Sequence, residues 1–499
     1  MRDANLNVLW ARALVEELTR GGVRHAIVCP GSRSSPLALA CADAEGLQCT
    51  SVVDERSAAF VALGIAKATG SPAAVIATSG SAGAHFLPAA VEATQAGLPL
   101  ILLTADRPPE LQDFGAPQTI PQDDLLGVFA VHRVDLGLPE ATDAVLLHLR
   151  ANVARAVARS RGPRRGAVQL NVPLREPLAP IEAPFDASAL SPLAVNGRPD
   201  APFTHFCAAE SRVAPEILAE LTERMAANAR GVLVCGPRDA DDGLGEALCA
   251  LSSATGYPLI AETSSQLRSA EGGHPVVHAD AILRHEEVAE ALRPDFVLRF
   301  GGGLTSKVLQ TWLDASGADI AIFSEGGVPQ DPAHAARWIL EGDPVEAALR
   351  MAAAIQRGSG AYTEAFEKAD AIAATTLSEA LHQEAPLSEP WVARRVATLL
   401  PETAHLFVSS SMPIRALETF AGPALRVGRV HANRGANGID GILSTALGVA
   451  IGSGRPTVCL TGDVAFLHDV GGLLSAARDQ VPLTVVVLNN DGGGIFSFL

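Results

Sequence analysis

The sequence predicts an α/β protein built from three doubly wound domains with parallel sheets. Short β-rich apolar runs alternate with helical patterns along the 499 residues, and this alternation is typical of parallel βαβ units. The chain is also too long for one hydrophobic core, because single cores stop growing at about 250–300 residues. With 48% hydrophobic and 19% charged residues, its composition is that of a folded globular protein.

The first domain is predicted over residues 1–180 and a linker over residues 181–205. Four apolar runs are the strand candidates of the first domain, in chain order HAIVC, SVVD, AAVIAT and LPLILLTA. Prolines recur from Pro173 to Pro202, and proline lacks the amide hydrogen that helix interiors and central strands require. We therefore expect neither a helix nor a central strand in the linker.

The central domain is predicted over residues 206–356 and the last domain over residues 357–499. The strand candidates of the central domain are GVLVCG, PLIAET and DFVLRFGG. The last domain opens with the helical stretch TEAFEKADAIAATTLSEALHQ and continues through the strand candidates HLFVSS, RVHANRG, PTVCLTGD and LTVVVLNND. We expect a parallel sheet in each domain, since helical patterns separate these runs.

The first and last domains resemble each other in sequence. The run LGIA at residues 63–66 and the run LGVA at residues 447–450 are each followed, at the same spacing, by a glycine and a proline. Two generic βαβ units would also match by chance in such apolar sequence, whereas an internal duplication is the sharper interpretation. Because ligands of open parallel sheets bind beyond the carboxyl ends of the strands, duplicated domains suggest a cofactor bound between them.

Charge, cysteine usage and apolar stretches disfavour several classes of protein and partner. The formal net charge of −17 disfavours binding to nucleic acid or anionic membranes, which attract a basic face. The cysteines form no C-x-x-C pair and most lie in apolar runs, a pattern typical of reduced thiols in a cytoplasmic protein. The N-terminus lacks the apolar block of a signal peptide, and no apolar stretch reaches the roughly 18 residues of a membrane span.

Two turns near the C-terminus carry residues suited to a magnesium ion. Gly462 and Asp463 directly follow the apolar run TVCLT, and Asn489 and Asn490 directly follow LTVVVL. Neighbouring parallel strands bring such turns to the same edge of a sheet, and carboxylate and amide oxygens are hard donors that Mg²⁺ accepts beside phosphate and water. Two ordinary surface turns would have the same composition.

The pair resembles the diphosphate motif of thiamine-diphosphate enzymes, which is Gly-Asp-Gly followed at about this distance by Asn-Asn; here Val464 replaces the second glycine. Longer segments resemble one family, the 2-succinyl-5-enolpyruvyl-6-hydroxy-3-cyclohexene-1-carboxylate synthases of menaquinone or phylloquinone biosynthesis. They lie in both outer domains and are PGSRSSPLALA, VVDERSAAFVALGIAKATG, TSGSAGAHFLPAAVEA, LTADRPPEL, GAPQTI, ANRGANGIDGILSTALG and NNDGGGIF. The central domain matches only loosely, as a structural spacer.

The resemblance implies a pyruvate-oxidase-like architecture that binds thiamine diphosphate and Mg²⁺, with Mn²⁺ as a substitute. It implies decarboxylation of 2-oxoglutarate and conjugate addition of the succinyl unit to isochorismate, chemistry that belongs chiefly to the cofactor. Glu55 matches the glutamate that hydrogen-bonds the aminopyrimidine ring, although a first-turn acid could simply complement a helix dipole. The other implied cofactor residues are Ile439, Gly462, Asp463, Val464, Ala465, Asn490, Gly492, Ile495 and Phe496, of which Asp463, Asn490 and Gly492 would hold the metal.

The resemblance also implies a set of substrate-binding residues. On the isochorismate side they are Ser32, Arg33, Arg107 and Gln118; near the succinyl carboxylate and adduct they are Ser411, Arg415 and Arg434; the central domain would add Lys307. Arginine suits dicarboxylates because its planar fork binds a carboxylate at two points. Any one of these arginines could instead be a solvated loop residue. Val308 stands where a family member has a basic residue, which puts one carboxylate contact in doubt.

Several alternatives stay open at this point. Another thiamine-diphosphate 2-oxoacid ligase or decarboxylase would share the cofactor residues, and a non-catalytic cofactor-binding homologue would share the fold. A nucleotide-binding oxidoreductase is disfavoured because GVLVCGPRDADDG lacks the G-x-G-x-x-G spacing. The family forms homodimers or homotetramers with active sites between subunits. Family members also continue beyond the position of Leu499, so we expect poor activity from a product that ends there.

Overall fold

The computed structural model describes most of the chain. The described residues are 5–181, 185–209, 211–239, 242–268, 270–324, 328–358, 360–382, 386–425 and 427–498. Three separate sheets organise these residues, and each has helices on its faces. The α/β class with three parallel-sheet domains, predicted from the sequence, is confirmed.

The first sheet has six parallel strands in the order β2-β1-β3-β4-β6-β5. Its strands are β1 (His25–Val28), β2 (Gln48–Ser51), β3 (Ala73–Ala77), β4 (Leu100–Asp106), β5 (Ala130–Asp135) and β6 (Ala167–Pro173). The accompanying helices are α1 (Leu6–Arg20), α2 (Ser35–Asp43), α3 (Glu55–Thr69), α4 (Leu87–Ala96), α5 (Asp143–Arg161) and α6 (Pro192–Asn196).

The second sheet also has six strands, in the order β12-β11-β10-β7-β8-β9. Its strands are β7 (Gly231–Cys235), β8 (Leu259–Ala261), β9 (Pro275–Val276), β10 (Phe296–Phe300), β11 (Asp319–Phe323) and β12 (Ala336–Leu340). The accompanying helices are α7 (Pro215–Ala227), α8 (Leu244–Thr255), α9 (Ala279–Ile282), α10 (Glu286–Ala291), α11 (Lys307–Asp314), α12 (Pro344–Ala354) and α13 (Ala361–Ala380).

The third sheet has four strands in the order β14-β13-β15-β16. Its strands are β13 (His405–Val408), β14 (Arg429–His431), β15 (Thr457–Gly462) and β16 (Leu483–Leu488). The remaining helices are α14 (Glu389–Leu399), α15 (Met412–Phe420), α16 (Ile442–Ser453), α17 (Asp463–His468) and α18 (Leu473–Arg478). In the described part of the chain, no helix combines the length and the apolar character needed to cross a membrane.

Alternate residues of a central strand enter cores on opposite faces of its sheet. In β1, Ala26 packs into one apolar cluster and Ile27 into another. In β7, Leu233 and Val234 divide in the same way. Because both faces are covered, these strands are apolar throughout rather than alternating, which is why short continuous apolar runs located them in the sequence.

By its internal contacts the chain forms two compact units. The first unit comprises Met1–Ala208, Asp440–Gly454 and Leu467–Leu483, and the second comprises Ala209–Ile439, Arg455–Phe466 and Thr484–Leu499. Helix α13, which the sequence assigned to the last domain, packs Tyr362 and Phe366 into the core of the second sheet. The domain bounds otherwise stay a prediction.

Two local expectations were wrong. The linker contains α6, because Ser191 caps its first turn by accepting the amide of Ala194 at 3.2 Å, and Pro192 occupies a helix position where no amide hydrogen is needed. The strand predicted from SVVD is instead β2, which ends at Ser51. This strand lies at the sheet edge, where exposure permits polar residues, so its apolar signal is weak.

The two similar segments, which both lie in the first unit, contact each other. Helices α3 and α16 cross at Gly64 and Gly448, the two glycines that the sequence comparison paired. A Cβ added to Gly448 would lie 2.0 Å from the carbonyl oxygen of Val61, and one added to Gly64 would lie 2.0 Å from that of Thr445. Only glycine allows the two backbones to approach so closely.

We expect Gly448→Ala to lower the free energy of unfolding by about 1–3 kcal/mol, because the helix backbones must separate to admit the methyl group. The control is Gly245→Ala in α8, where the added Cβ stays at least 3.7 Å from its neighbours. That change should raise stability by about 0.5–1 kcal/mol, since alanine favours helix. Denaturant unfolding of both variants checks this, and equal stability of the two would contradict the crossing.

Candidate active site

The loop after β1 holds two of the residues assigned to the isochorismate side. Arg33 is buried, with 3% exposure, and its Nη1 donates to the carbonyl oxygen of Leu174 at 2.8 Å. Its Nη2 lies 3.7 Å from the exposed carboxylate of Glu176. Ser32 is exposed, and its carbonyl oxygen accepts the hydroxyl of Ser35 at 2.7 Å. The guanidinium is thus fixed against the end of the first sheet, while Ser32 faces solvent.

Arg107 and Gln118 lie in the loop that follows β4. Gln118 is exposed and has a φ of 53°, a left-handed conformation that non-glycine residues adopt rarely and that often marks functional loops. A Cβ on Gly80 would lie 3.2 Å from the Gln118 Cα. The Gln118 backbone therefore rests on the turn after β3, so two neighbouring carboxyl-end loops meet here.

A buried polar network supports the loop that carries Arg107 and Gln118. Asn171 on β6 donates to the Asp106 carboxylate at 2.9 Å and accepts the hydroxyl of Thr104 at 3.0 Å. Gln122 accepts the amide of Gly80 at 2.6 Å and donates to the carbonyl oxygen of Ala105 at 3.1 Å. Burial raises the pKa of Asp106, although hydrogen bonds from Asn171 and other neighbours offset part of this effect.

Glu55 is the first residue of α3 and is half-buried. Asp54 caps the helix by accepting the amide of Ser57 at 3.1 Å, so the helix start does not depend on Glu55. Burial raises the pKa of the Cys29 thiol, and the carboxylates of Glu55 and Asp54 add to the effect. Glu55 therefore lies near the carboxyl end of β1, at the sheet edge where the fold places ligands.

The start of α3 is anchored by a second buried acid of the first unit. Asp469, with 1% exposure, accepts the amide and hydroxyl of Ser444 at 2.7 and 3.0 Å and the hydroxyl of Ser57 at 3.4 Å. Arg56 donates to the carbonyl oxygen of His468 at 2.8 Å. These bonds hold the first turn of α3 against the first turn of α16.

The predicted diphosphate motif lies in the second unit, on two neighbouring strands of the third sheet. Asp463 follows β15 and Asn490 follows β16. A Cβ added to Gly492 would lie 3.6 Å from Val464 Cγ2, so the two turns lie beside each other. Asn490 Nδ2 donates a hydrogen bond to the Glu389 carboxylate at 2.7 Å. The amide oxygen of Asn490 faces no such demand and can coordinate a cation.

The donor set and the free space fit a hydrated cation with a diphosphate. One carboxylate and one amide oxygen suit Mg²⁺, which keeps several water and phosphate ligands. Among the described residues, no group of three or more His, Cys, Asp or Glu could hold a metal ion. A Cβ added to Gly462 would meet nothing within 4 Å, and the space above this turn is therefore open.

The other predicted cofactor residues differ in burial. Ala465 is buried and Val464 is 47% exposed. Ile495 is half-buried and Phe496 is 74% exposed, both in the 3₁₀ turn Gly494–Phe498. Ile439 is half-buried in the loop between β14 and α16. Val464 and Phe496 therefore present apolar surface to solvent at this end of the third sheet.

Four residues that the resemblance assigns to the substrate carboxylates also lie in the second unit. They come from the central and last predicted domains. Ser411 precedes α15 with a φ of 74°, and its carbonyl oxygen accepts Nη1 of the exposed Arg415 at 2.7 Å. Lys307 is exposed at the first position of α11. Arg434 is half-buried after β14. Val308 is half-buried against apolar residues of the second sheet.

Sequence analysis missed a buried acid that contacts the turn carrying Lys307. Glu262 directly follows β8 and is 1% exposed; Thr305 and Ser306, just before Lys307, donate their amides to it at 2.8 and 2.9 Å. Burial raises the pKa of Glu262 to about 7, with the Glu418 carboxylate adding to the effect, while the two amides and the Arg434 charge lower it. The sequence feature that could have indicated Glu262 is its position directly after the apolar run PLIA.

Comparisons with known proteins match this arrangement over nearly the whole chain. Residues 10–126 match the thiamine pyrophosphate enzyme N-terminal TPP binding domain, residues 204–408 the middle domain of thiamine pyrophosphate enzymes, and residues 424–497 the C-terminal TPP binding domain. A solved thiamin diphosphate-dependent enzyme from Mycobacterium smegmatis aligns with a TM-score of 0.70 at 20% identity, over 97% of this chain and 89% of that one. At that identity the likeness concerns the fold.

Two curated relatives are named 2-succinyl-5-enolpyruvyl-6-hydroxy-3-cyclohexene-1-carboxylate synthase. The one from Myxococcus xanthus (strain DK1622) is 58% identical over 100% of this chain and 85% of its own length. The one from Roseiflexus sp. (strain RS-1) is 42% identical over 99% of this chain and 85% of its own length. The chain therefore belongs to the 2-succinyl-5-enolpyruvyl-6-hydroxy-3-cyclohexene-1-carboxylate synthase family of thiamine-diphosphate-dependent enzymes.

Proposed function

We propose that this chain decarboxylates 2-oxoglutarate with thiamine diphosphate and adds the succinyl unit to isochorismate, in the pathway to menaquinone. The observation that carries the proposal is the 58% identity to the Myxococcus xanthus synthase across the whole chain. An assignment of activity from fold alone would be weaker, because one fold hosts many reactions.

The proposed metal is Mg²⁺, with Mn²⁺ as a substitute. Asp463 and Asn490 would supply a carboxylate and an amide oxygen, and Gly492 its carbonyl oxygen. Support comes from the contact distance between the two turns and from the Glu389 bond that engages the amide nitrogen of Asn490. Gly462, Val464, Ala465, Ile495 and Phe496 would line the diphosphate and thiazolium end, and Ile439 would support the bent cofactor.

When bound, thiamine diphosphate supplies the electron sink for decarboxylation and carbon–carbon bond formation. The chain supplies orientation and proton control. Glu55 would hydrogen-bond the aminopyrimidine ring and exchange a proton with it, a role that suits an acid at a strand's carboxyl end whose helix is capped by another residue. Asp54 already provides that cap at 3.1 Å, so Glu55 is available for the ligand.

Both proposed substrates are dicarboxylates and the protein is acidic, so local cations must bind them. We propose Arg33, Arg107, Ser32 and Gln118 for isochorismate, and Lys307, Ser411, Arg415 and Arg434 for the succinyl carboxylate and the adduct. Arg33 and Arg415 each donate a side-chain hydrogen bond to a nearby carbonyl oxygen, which lowers the entropy lost when a carboxylate binds.

The smallest active form that we propose is a homodimer with its sites between subunits, as in the family, and homotetramers are the other candidate. Support comes from large apolar side chains exposed in the first unit, among them Leu467 at 70%, Leu474 at 71% and Val53 at 66%. Such exposure favours a covering partner. We also propose a cytoplasmic location and the domain bounds 1–180, 206–356 and 357–499, except that α13 packs with the central domain.

The deciding experiment mixes the purified protein with thiamine diphosphate, Mg²⁺, 2-oxoglutarate and isochorismate. We expect stoichiometric CO₂ release and formation of the adduct, because the proposed cations match two dicarboxylates. Pyruvate in place of 2-oxoglutarate should be turned over far more slowly, since it lacks the second carboxylate. Faster turnover of pyruvate, or CO₂ release without adduct, would indicate a different ligase or a simple decarboxylase.

A further inference from the structure

Glu262 holds the turn that begins helix α11. Both of its carboxylate oxygens lie 2.8 Å from the amide nitrogen of Thr305, and Oε1 also accepts the amide of Ser306 at 2.9 Å. Ser306 caps the helix by accepting the amide of Leu309 at 3.0 Å. The next residue, Lys307, is exposed. The conformation of the lysine-bearing turn therefore depends directly on Glu262.

The residue after Glu262 contacts the helix that carries Arg415. Thr263 donates its amide and its hydroxyl to Glu418 Oε2, at 2.7 and 2.6 Å. Glu418 lies on α15, one helical turn after Arg415, and Arg268 donates to its other oxygen at 2.7 Å. Two consecutive residues at the end of β8 thus tie the Lys307 turn and the Arg415 helix to the same strand.

The third cation interacts with Glu262 through its charge. The positive charge of Arg434 lowers the pKa of Glu262, opposing burial and the nearby Glu418 carboxylate. A buried charge is expensive, and apolar packing in its place would often be more stable. A purely structural role would be met at lower cost by a neutral acceptor, so the negative charge itself has a use at this position.

We infer that Glu262 is a positioning residue for the cations Lys307, Arg415 and Arg434, which together receive the carboxylate of the 2-oxoacid substrate. Its carboxylate orders the turn that carries Lys307, and Thr263 ties the helix that carries Arg415 to the same strand. Its negative charge also acts on the positive charge of Arg434. The inference deepens the proposed function and rests on it, because the substrate role of these cations is part of that proposal.

The test is Glu262→Gln in the holoenzyme. Glutamine keeps an oxygen for the two amides but removes the charge, so the turn stays intact while the opposite charge near Arg434 is lost. We expect KM for 2-oxoglutarate to rise about 10-fold with kcat within about 2-fold, because a hydrogen bond or contact to a charged group is worth roughly that factor. The dissociation constant of succinate, an unreactive dicarboxylate, should rise by the same factor in calorimetry.

The control is Asp343→Asn, which removes a carboxylate that likewise accepts two amides at a helix start, those of Val345 and Glu346. Asparagine caps helices as well as aspartate, and we expect unchanged KM and succinate binding.

The pH dependence of kcat/KM gives a further readout. Wild-type kcat/KM should fall as pH drops through about 7, where Glu262 gains a proton, and Glu262→Gln should lack this step. The charged groups around it are Glu418, Arg434, Arg299, Asp280, Arg268 and Lys307.

Stability separates positioning from a structural role. Because the pKa of Glu262 is raised in the folded protein, its contribution to stability is present below its unfolded pKa and is lost as pH rises through about 7. Glu262→Gln should therefore be at least as stable as wild type at pH 8. Loss of stability, or unchanged KM and succinate affinity, would overturn the inference. Absence of wild-type turnover with intact, Glu262-dependent succinate binding would sink only the proposed function.

Discussion

Glu55→Gln is expected to lower kcat by about 10²–10⁴-fold, the range that a positioned proton-transfer group typically contributes. Glutamine keeps the size of the side chain and its hydrogen-bonding oxygen, but it cannot exchange a proton with the aminopyrimidine ring of the bound cofactor. The fold should be preserved, because Asp54 provides the helix cap at 3.1 Å. Steady-state CO₂ release and adduct formation measure the loss, and thermal unfolding monitors the fold.

The competing interpretation of Glu55 is that it only complements the dipole of α3. That role is worth about 0.3–1 kcal/mol of stability and nothing in turnover. The matched control is Asp54→Asn, which removes the neighbouring charge but keeps a good cap, and we expect kcat close to that of wild type. If Glu55→Gln and its control both retain full turnover, the catalytic role of Glu55 is refuted.

The architecture was predictable because its signals are local. Buried parallel strands are apolar on both faces, so runs such as AAVIAT and GVLVCG identified β3 and β7 without tertiary information. The similarity between the runs LGIA and LGVA was equally visible in the sequence, and it pairs Gly64 with Gly448, which contact each other in the structure. The edge strand β2 escaped because a polar strand with one neighbour has little pattern of its own.

The candidate site was predictable only where function fixes a short motif. Asp463 and Asn490 follow strands in a recognisable order, and their turns lie together. Glu262 and Glu418 lie far apart in sequence, and nothing local indicates that Thr263 connects them. Likewise, the burial of Arg33 against Leu174 depends on two loops that meet only in the folded sheet. Such supporting networks are tertiary, so a single sequence does not reveal them.

Asp463→Asn should remove most of the cofactor's effect on stability. With thiamine diphosphate and Mg²⁺ at about 100 times Kd, wild type should gain about 2.7 kcal/mol of unfolding free energy, whereas a 100-fold weaker variant should gain only about 0.4 kcal/mol. The loss is expected because the neutral amide is a poorer ligand for a hard dication beside a diphosphate. Removing Mg²⁺ with a chelator should abolish the wild-type gain, and Mn²⁺ should restore it.

The control is Asp491→Asn in the neighbouring turn, where the φ of 60° is one that asparagine tolerates. An equal cofactor-induced shift in Asp463→Asn and Asp491→Asn would show that Asp463 is not a metal ligand.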